Sequence, residues 1–222
     1  MSQPPNRRPV DVMIMRPMSS DDYPALIEML RRMWYADPAM DVETSRRLAR
    51  ADFEFCLSRS TEAWVAETPG GLAGVVLGGM AARRRSRRHM PMRLRHLRRA
   101  AGSLLPLLAS RAGRRGVHAM VRINAVDGRL LRDAIGEHGR YDAEVTLLLV
   151  GERVRGGGAG RRLFDRMMRT FRDAGVERYF LYTDTDCNFG FYDHLGLTRR
   201  GECTLAWPDG GATTFYLYDG RV

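Results

Sequence analysis

Apolar and polar positions in the first third of the chain follow two periods, one typical of strands and one typical of helices. Val12 to Arg16 predicts a first strand, and a helical apolar stripe follows at Leu26, Ile27, Leu30, Met33 and Trp34. Residues 42–58 predict a second helix. The runs Ala63 to Glu67 and Leu72 to Leu77 flank a Thr-Pro-Gly-Gly turn, so they predict a hairpin.

A short apolar run later passes through a glycine-rich turn into an amphipathic helix. Glu144 to Val150 has strand length and is partly β-branched. After the turn, apolar residues recur at helical spacing at Leu163, Phe164, Met167, Met168 and Phe171. Gly175 is placed to end this helix as the residue after its C-cap. The pattern predicts a strand, a tight turn and a helix in direct succession.

The end of the chain alternates again with the period of strands. Tyr179 to Thr185 predicts a strand, and Phe189 to Gly196 predicts a short helix that stops at its glycine. Glu202 to Trp207 and Thr213 to Tyr218 flank a Pro-Asp-Gly-Gly turn. These two runs predict a terminal antiparallel hairpin that completes the sheet.

The glycine-rich turn has the composition of a phosphate-binding site. Glycines lack Cβ atoms, and the first amides of a helix carry partial positive charge. A P-loop would need Gly-Lys-Ser/Thr at its end, but Gly160 is followed by arginine. A dinucleotide-binding fingerprint starting at Gly156 would need Gly or Ala where Arg161 stands. The pattern that remains, Arg155-Gly-Gly-Gly-Ala-Gly160, fits a phosphate cradle or a tight turn that binds nothing.

Two segments together resemble the GNAT superfamily of acyl-CoA-dependent N-acetyltransferases. The turn from Arg155 to Gly160 resembles the acyl-CoA pyrophosphate motif, and Asn188…Phe191-Tyr192-x-x-x-Gly196-Leu197 resembles the "FYxxLGF" element. The resemblance is specific over 144–200, holds in element order over 10–80 and fails over about 81–140. It implies an α/β GNAT fold with a mixed central β-sheet flanked by helices. An arginine-rich helical insertion would then lie between the third and fourth strands.

The resemblance also implies a role for each candidate site residue, with acetyl-CoA as the co-substrate and no metal. The residues implied to bind acetyl-CoA are Leu148, Leu149 and Val150 through their backbone, and Arg155, Gly156, Gly157, Gly158, Ala159, Gly160, Arg161 and Asn188. Tyr192 is the implied acid, because a phenol with a pKa near ~10 can protonate a touching thiolate whose pKa is near ~8.5. Glu144 is the candidate base for the amine, and Glu67 is the second choice. The alternative to an acid role is that Tyr192 is a structural residue of the core. The alternative to a base role is that Glu144 is an exposed acid at the end of a strand.

Length and composition fit one domain without a transmembrane segment. The chain has 222 residues, of which 44% are hydrophobic, so we expect a flexible tail over 1–10 and a single domain over 11–222. No apolar run approaches the length of about eighteen residues that a membrane span needs, and no secretory leader is expected. Cys56, Cys187 and Cys203 suit a reducing compartment, and no Cys/His spacing suggests a metal site. These features predict a cytoplasmic location.

The positive charge is concentrated in one segment. The formal net charge is +10, every one of the 36 basic residues is arginine, and twelve of them lie within residues 83–115, where no acid occurs. Without these twelve, 24 basic residues face 26 acidic residues, which leaves a remainder of −2. Apolar residues within the segment predict helices interrupted at Gly102 and Pro106, and 118–137 predicts a further helix or helix pair.

Three interpretations of this arginine-rich segment remain open. It is a helical lid with a solvated arginine face, a binding surface for nucleic acid or an anionic membrane through residues 83–115, or a selector of anionic acceptors. Aromatic residues are absent from residues 81–126, which counts against base stacking there.

The leading prediction is an N-acetyltransferase that transfers an acetyl group from acetyl-CoA to a primary amine by direct attack in a ternary complex. The acceptor is expected to be a small-molecule or peptide amine. Two alternatives stay open: acetylation of an amine carried on RNA, such as a charged tRNA, and a catalytically weak CoA-binding regulatory protein. The sequence leaves the oligomeric state open, and a homodimer is compatible with it.

Overall fold

The computed structural model describes residues 13–38, 40–208 and 210–222. The expected tail over 1–10 and the start of the first predicted strand at Val12 lie outside the described residues. The strands are β1 (Ile14–Pro17), β2 (Glu62–Thr68), β3 (Gly71–Met80), β4 (Ala143–Val150), β5 (Arg178–Asp184), β6 (Thr198–Ala206) and β7 (Ala212–Arg221). The helices are α1 (Tyr23–Trp34), α2 (Val42–Arg59), α3 (Ala81–Arg84), α4 (Met90–Leu104), α5 (Arg111–His138), α6 (Ala159–Asp173) and α7 (Gly190–His194).

The strands form one mixed sheet in the order β1-β2-β3-β4-β5-β7-β6. β4 and β5 run parallel, and every other neighbouring pair is antiparallel. Helices flank this sheet on both faces, which confirms the predicted fold class. The two predicted hairpins correspond to β2–β3 and β6–β7.

Period-two alternation divides the core between the two faces of the sheet. On one face, α6 buries its apolar stripe against β-strand residues that include Val145, Leu181 and Tyr218. On the opposite face, α1 and α2 pack on Val65, Val75 and Leu149, among other residues of β2 to β4. α5 packs beside them on the same face, over β5, β7 and β6, through Val126, Leu130 and Ala134. The α1, α2 and α5 helices therefore cover one face, and α6 and α7 cover the other.

The segment between β3 and β4 is helical, with boundaries that differ from those predicted. α4 continues through Gly102, where no other group lies within 4 Å of an added Cβ, so the glycine costs only helix propensity. The break falls at a 3-10 turn over Leu105–Ala109, because Pro106 has no N–H to donate. The helix expected over 118–137 is one continuous helix of 28 residues that begins at Arg111.

Two glycines allow α5 to start close to its neighbours. A Cβ at Gly113 would collide with the carbonyl of Leu107, and a Cβ at Gly116 would collide with the side chain of Leu48 on α2. α4 is tied to α2 by the buried pair of His96 Nδ1 and Glu54 Oε2 at 2.6 Å. In the part of the chain that is described, no helix is long and apolar enough to cross a membrane.

Candidate active site

β4 and β5 begin as hydrogen-bonded neighbours and then separate. Their parallel pairing covers three residues on each strand and ends at Val145 and Leu181. Both strands continue beyond this point, β4 to Val150 and β5 to Asp184. The separation leaves a fork, defined here as the space between residues 146–150 of β4 and 182–184 of β5. Backbone groups of β4 that face the fork have no partner on β5.

A β-bulge lies at the start of the fork. The pairing of β4 with β3 slips between Leu77 and Gly78, so Thr146 has no partner on β3. The Thr146 hydroxyl lies 2.7 Å from Ser60 Oγ, and its carbonyl accepts a bond of 3.6 Å from the Cys56 thiol. The sequence pattern does not predict this bulge, because it depends on the register with β3 and on contacts from α2.

The glycine-rich turn closes the outer end of β4. Gly156 and Gly158 have φ values of +75° and +80°, which glycine adopts without steric cost. Gly158 is the N-cap of α6. The first helical hydrogen bond runs from the Arg162 N–H to the Gly158 carbonyl, at 3.0 Å. The amides between them have no acceptor within the helix and form the positive end of its dipole. The turn therefore has the geometry of an anion cradle.

The cradle lies directly beside the open end of the fork. A Cβ at Gly160 would lie 3.5 Å from Val150 Cγ2 and 3.9 Å from the ring of Phe191 on α7. Leu149 is fully buried in the core, whereas Leu148 and Val150 are half-buried. An extended molecule bound at the cradle would therefore continue naturally along the β4 edge.

The polar residues expected around the cradle lie at its surface. Arg155 and Asn188 are exposed, Gly156, Gly157 and Gly158 are exposed, and Ala159 is buried. Asn188 lies in the loop that follows β5, the second strand of the fork. Arg161 is exposed and forms an ion pair with Asp165 one turn along α6, at 2.9 Å. This pair leaves the Arg161 side chain accessible to an anion.

Tyr192 lies on α7, on the α6 face of the sheet. Its ring centroid lies 6.4 Å from that of Phe164 and 5.9 Å from that of Tyr218. Burial, followed by the nearby Cys187 and Asp184 groups, raises the pKa of the Tyr192 phenol. Among the described residues, no side chain or carbonyl forms a hydrogen bond with this hydroxyl. Tyr192 is therefore a protonated donor without a fixed acceptor.

The loop after β5 brings two further groups toward Tyr192. Burial raises the pKa of the Asp184 carboxyl, and its Oδ1 accepts the N–H of Asp186 at 2.9 Å. Burial and the Asp184 carboxyl raise the pKa of the Cys187 thiol to about 12. Asp186 Oδ2 in turn accepts a hydrogen bond of 3.0 Å from the hydroxyl of Thr213. Asp184 and Asp186 therefore serve to hold the turn.

Glu144 lies on the opposite face, one residue before the last β4–β5 pair. It is 2% exposed, so it is not an exposed strand-end acid. Oε2 accepts a hydrogen bond from Arg84 Nη1 at 2.8 Å, and Oε1 lies 3.1 Å from Arg59 Nη1. Glu67, the second-choice base, lies on β2, is separated from β4 by β3 and pairs with Arg16 at 2.7 Å. Of the two candidate bases, only Glu144 is placed at the fork.

The other residues on this face of the fork were not predicted from the sequence. Tyr182 is the first β5 residue beyond the last β4–β5 pair, and its hydroxyl donates to the backbone carbonyl of Asp127 on α5 at 2.9 Å. Arg59, the last residue of α2, and Arg84, at the end of α3, reach Glu144 from separate helices. No local sequence signal marks these four residues, because their proximity depends on how α2, α3 and α5 pack.

In the described ranges, no group of three or more His, Cys, Asp or Glu side chains is placed to hold a metal ion.

Comparison with known proteins agrees with this geometry. The profile described as "Acetyltransferase (GNAT) family" matches residues 23–197. No curated protein matches the chain. Solved structures with the same fold include the following three, all at low sequence identity. An arylalkylamine N-acetyltransferase 2 from Aedes aegypti has a TM-score of 0.58 and 14% identity over 94% of this chain and 98% of that one.

The other two structures cover this chain equally well. An agmatine N-acetyltransferase mutant in its apo form has a TM-score of 0.55 and 13% identity over 95% of this chain and 99% of that one. The ribosomal-protein-S18-alanine N-acetyltransferase from Escherichia coli has a TM-score of 0.52 and 12% identity over 95% and 94%. With the fork, the cradle and the matched family profile, the chain belongs to the acetyltransferase (GNAT) family and is an acetyl-CoA-dependent N-acetyltransferase.

Proposed function

We propose that this enzyme transfers an acetyl group from acetyl-CoA to a primary amine by direct attack of the amine within a ternary complex. The observation that carries the proposal is the fork between β4 and β5, which ends at the bare N-terminus of α6. A thioester held along this fork is reachable from both faces of the sheet. Tyr192 lies on one face and Glu144 on the other, so acid and base chemistry can act on opposite sides of one carbonyl group.

The cradle is the proposed site for the pyrophosphate of acetyl-CoA. The amides of Gly156 and of Gly158 to Arg161, with the dipole of α6, supply hydrogen bonds and positive potential. The Gly157 N–H already donates to the Val154 carbonyl at 3.2 Å. Arg155, Asn188 and Arg161 add polar and charge-assisted contacts, Arg161 by leaving its exposed pair with Asp165.

The β4 edge is the proposed site for the pantetheine arm. Backbone groups of Leu148, Leu149 and Val150 that face the fork are available to pair with its amides, as a neighbouring strand would. Amides near the bulge at Thr146 are the proposed donors to the oxyanion of the tetrahedral intermediate. The side chain of Leu149 contributes only to the core.

Tyr192 is the proposed acid for the departing thiolate. Its raised pKa keeps the phenol protonated throughout the working pH range, so it always has a proton to give. Its hydroxyl has no hydrogen-bond acceptor in the described part of the chain, so it is free to turn toward a sulfur atom.

Glu144 is the proposed carboxylate on the acceptor side. Its position one residue before the fork supports this role. Arg59 and Arg84 lie at its two oxygens, so an amine contacts Glu144 directly only when one of these ion pairs opens.

The proposed acceptor is a small primary amine or a peptide N-terminus. The similar structures carry names that refer to agmatine, arylalkylamines and a ribosomal protein alanine, so the shared fold does not select among acceptors. An amine carried on RNA is the second candidate, because residues 83–115 contain twelve arginines and no acid. Arg85, Arg87 and Arg88 are exposed and suit a test of this candidate.

Calorimetric titration with acetyl-CoA is the decisive experiment for the cradle. Gly158→Glu places a carboxylate at the N-terminus of α6, and Gly175→Glu is the matched control at the other end of the same helix. Both glycines have similar φ values, +80° and +73°, and neither has another group within 4 Å of an added Cβ. We expect tight binding by wild type and Gly175→Glu, and loss of binding in Gly158→Glu. Equal binding by all three proteins would contradict the cradle.

Transfer is then measured as release of the CoA thiol with a panel of primary amines, peptides and aminoacyl-tRNA. Activity on small amines or peptides that is unchanged in the Arg85→Gln/Arg87→Gln/Arg88→Gln variant supports the leading acceptor class. Activity confined to aminoacyl-tRNA and lost in that variant favours the RNA candidate. Acetyl-CoA binding without transfer to any acceptor would instead indicate a CoA-binding regulatory protein.

A further inference from the structure

Asp127 occupies the α5 side of the fork. The hydroxyl of Tyr182, on the first β5 residue beyond the β4–β5 pairing, donates to its backbone carbonyl at 2.9 Å. The side chain of Tyr182 points to the α5 face, since it packs with Phe180 and the α5 core. This hydrogen bond fixes Asp127 over the point where the two strands separate, on the same face as Glu144.

Three buried polar atoms from three different elements lack hydrogen-bond partners in this region. They are Asp127 Oδ1 on α5, Glu144 Oε1 on β4 and Arg59 Nε on α2. Buried polar atoms in folded proteins nearly always have partners, so a group of such atoms needs an explanation. Glu144 Oε1 still lies 3.1 Å from Arg59 Nη1 as an ion pair, so Asp127 Oδ1 is the acceptor that is free of both kinds of contact. This acceptor and the Arg59 Nε donor, beside a fork that would hold a thioester, suit a polar group that is being acetylated.

The electrostatic surroundings of Asp127 differ from those of Glu144. Burial raises the pKa of the Asp127 carboxyl to about 7, Arg59 opposes the shift, and Glu144, Asp184 and Asp52 add to it. The charged and titratable groups around it are Arg59 and Asp52 on α2, Arg84 on α3, Glu144 on β4, and Tyr182 and Asp184 on β5. Glu144 has Arg84 and Arg59 at its two oxygens, whereas Asp127 Oδ1 has no such contact.

We propose that Asp127 is the proton acceptor for the attacking amine, and that the acceptor enters as an ammonium ion. This inference rests on the acetyl transfer proposed above. Glu144 then holds Arg59 and Arg84 in place beside the fork. An ammonium is attracted by the Asp127 and Asp184 carboxyls, and a group whose pKa lies near the working pH suits general base catalysis.

The proposed step balances in protons and electrons. The ammonium gives one proton to the Asp127 carboxylate, and the nitrogen lone pair that this frees forms the C–N bond to the thioester carbonyl carbon. The C–S bond breaks and its electron pair goes to sulfur, which takes a proton from Tyr192. The second proton lost by the nitrogen restores the Tyr192 phenol through solvent, and Asp127 releases its proton to solvent. One ammonium and one thioester thus give one amide, one thiol and one free proton.

Asp127→Asn tests the assignment, with Asp133→Asn as its control on the exposed side of the same helix. We expect Asp127→Asn to lower kcat by about 100-fold or more, within the range for loss of a general base. Its Kd for acetyl-CoA should equal that of wild type, and its Tm at pH 8 should be equal or higher, because an ionised, unpaired buried carboxylate is removed. Asp133→Asn should behave as wild type.

The pH dependence of kcat/KM separates a catalytic role from a structural one. With wild type, activity should fall below a pH near 7, and this acidic limb should stay in place with amines of different pKa. The limb should be absent in Asp127→Asn and present again in Asp127→Glu. A limb that moves with the pKa of the amine in wild type, or one that persists in Asp127→Asn, overturns the proposal even if the Asn variant folds poorly.

Failure of this inference is distinguishable from failure of the proposed function. Transfer by wild type together with an unimpaired Asp127→Asn variant overturns only the role of Asp127. Absence of transfer by wild type with every amine overturns the proposed function and this inference with it.

Discussion

Arg84 Nη1 donates to Glu144 Oε2 at 2.8 Å and thereby joins the helical segment that follows β3 to the beginning of β4. The two residues are sixty positions apart in sequence, and their contact lies one residue before the β4–β5 fork. The helices between β3 and β4 therefore reach the side of the fork on which we propose that the acceptor binds. This relationship makes the stability of the fold and the geometry of the fork depend on the same ion pair.

Replacing Glu144 by glutamine should destabilise the fold more than the same change at Glu67. Glu144→Gln leaves Arg59 and Arg84 without their counter-charge, and we expect a loss of about 3 kcal/mol, since both guanidinium groups are only about a quarter exposed. Glu67→Gln breaks a pair in which Glu67 is 43% exposed, so we expect less than about 1 kcal/mol. Urea unfolding of both variants measures the difference, and equal losses would show that the buried pair adds nothing.

Removing the Tyr192 hydroxyl should slow turnover without weakening acetyl-CoA binding. Tyr192→Phe keeps the ring contacts with Phe164 and Tyr218, so only the proton donor is lost. We expect kcat to fall by about 100-fold, as for loss of a general acid. Tyr179→Phe is the control, because Tyr179 also packs on Phe164 and is 3% exposed. Unchanged kcat in Tyr192→Phe would remove the acid assignment.

Cys187 should take no covalent part in the reaction. Burial and Asp184 raise the pKa of its thiol to about 12, so the thiolate is scarce at neutral pH and the thiol is a weak nucleophile. Cys187→Ala should retain wild-type kcat within about twofold, far above the loss of about 100-fold expected when a catalytic group is removed. Mass spectrometry after incubation with acetyl-CoA alone should show unmodified enzyme. A stoichiometric acetyl adduct on Cys187 would instead establish a two-step mechanism.

Asp22 should support the fold at neutral pH and lose that effect in acid. Arg16 donates to both of its oxygens, at 2.7 and 2.8 Å, and these bonds hold the pKa of the Asp22 carboxyl below its usual value. The folded form therefore gains stability wherever this carboxyl is ionised, above about pH 4, and loses it as pH falls through the lowered pKa.

The matching variant is Asp22→Asn, with the exposed neighbour Asp21→Asn as control. We expect Asp22→Asn to cost about 1–3 kcal/mol at pH 7, as for loss of a charged hydrogen-bond partner. The difference from wild type should shrink below pH 4, and denaturant unfolding across this pH range measures it. A difference that is constant from pH 7 to pH 3 would assign the effect to packing.

The glycine-rich turn and the short helix after β5 could be predicted from sequence because both are local. φ values of +75° and +80° at Gly156 and Gly158 are required by the turn itself, and glycine is the residue that meets them. The apolar stripe of α6 and the glycine that ends α7 are likewise local features, because each depends on residues close together in the sequence. The break between α4 and α5 lies at Pro106 and not at Gly102. Proline lacks the N–H donor that a helix needs, whereas the missing side chain of glycine only weakens a helix.

The α5 face of the fork could be predicted only in part. The place of Glu144 at the start of a strand was predicted, but its burial and its two arginine contacts were not. Arg59, Arg84, Tyr182 and Asp127 come from four separate elements, and none of them lies in a local motif. The bulge at Thr146 also depends on a partner strand that is remote in sequence.

The sequence by itself determined the order of strands and helices, the glycine-rich turn and the family, because each depends on short-range periodicity or on a turn that only glycine allows. Tertiary structure decided where β4 and β5 separate and which carboxylates lie beside the fork. It also decided that α5 covers the fork and brings Asp127 to it. These features follow from long-range packing and from the burial of charge, and both depend on residues that become neighbours only when the chain is folded.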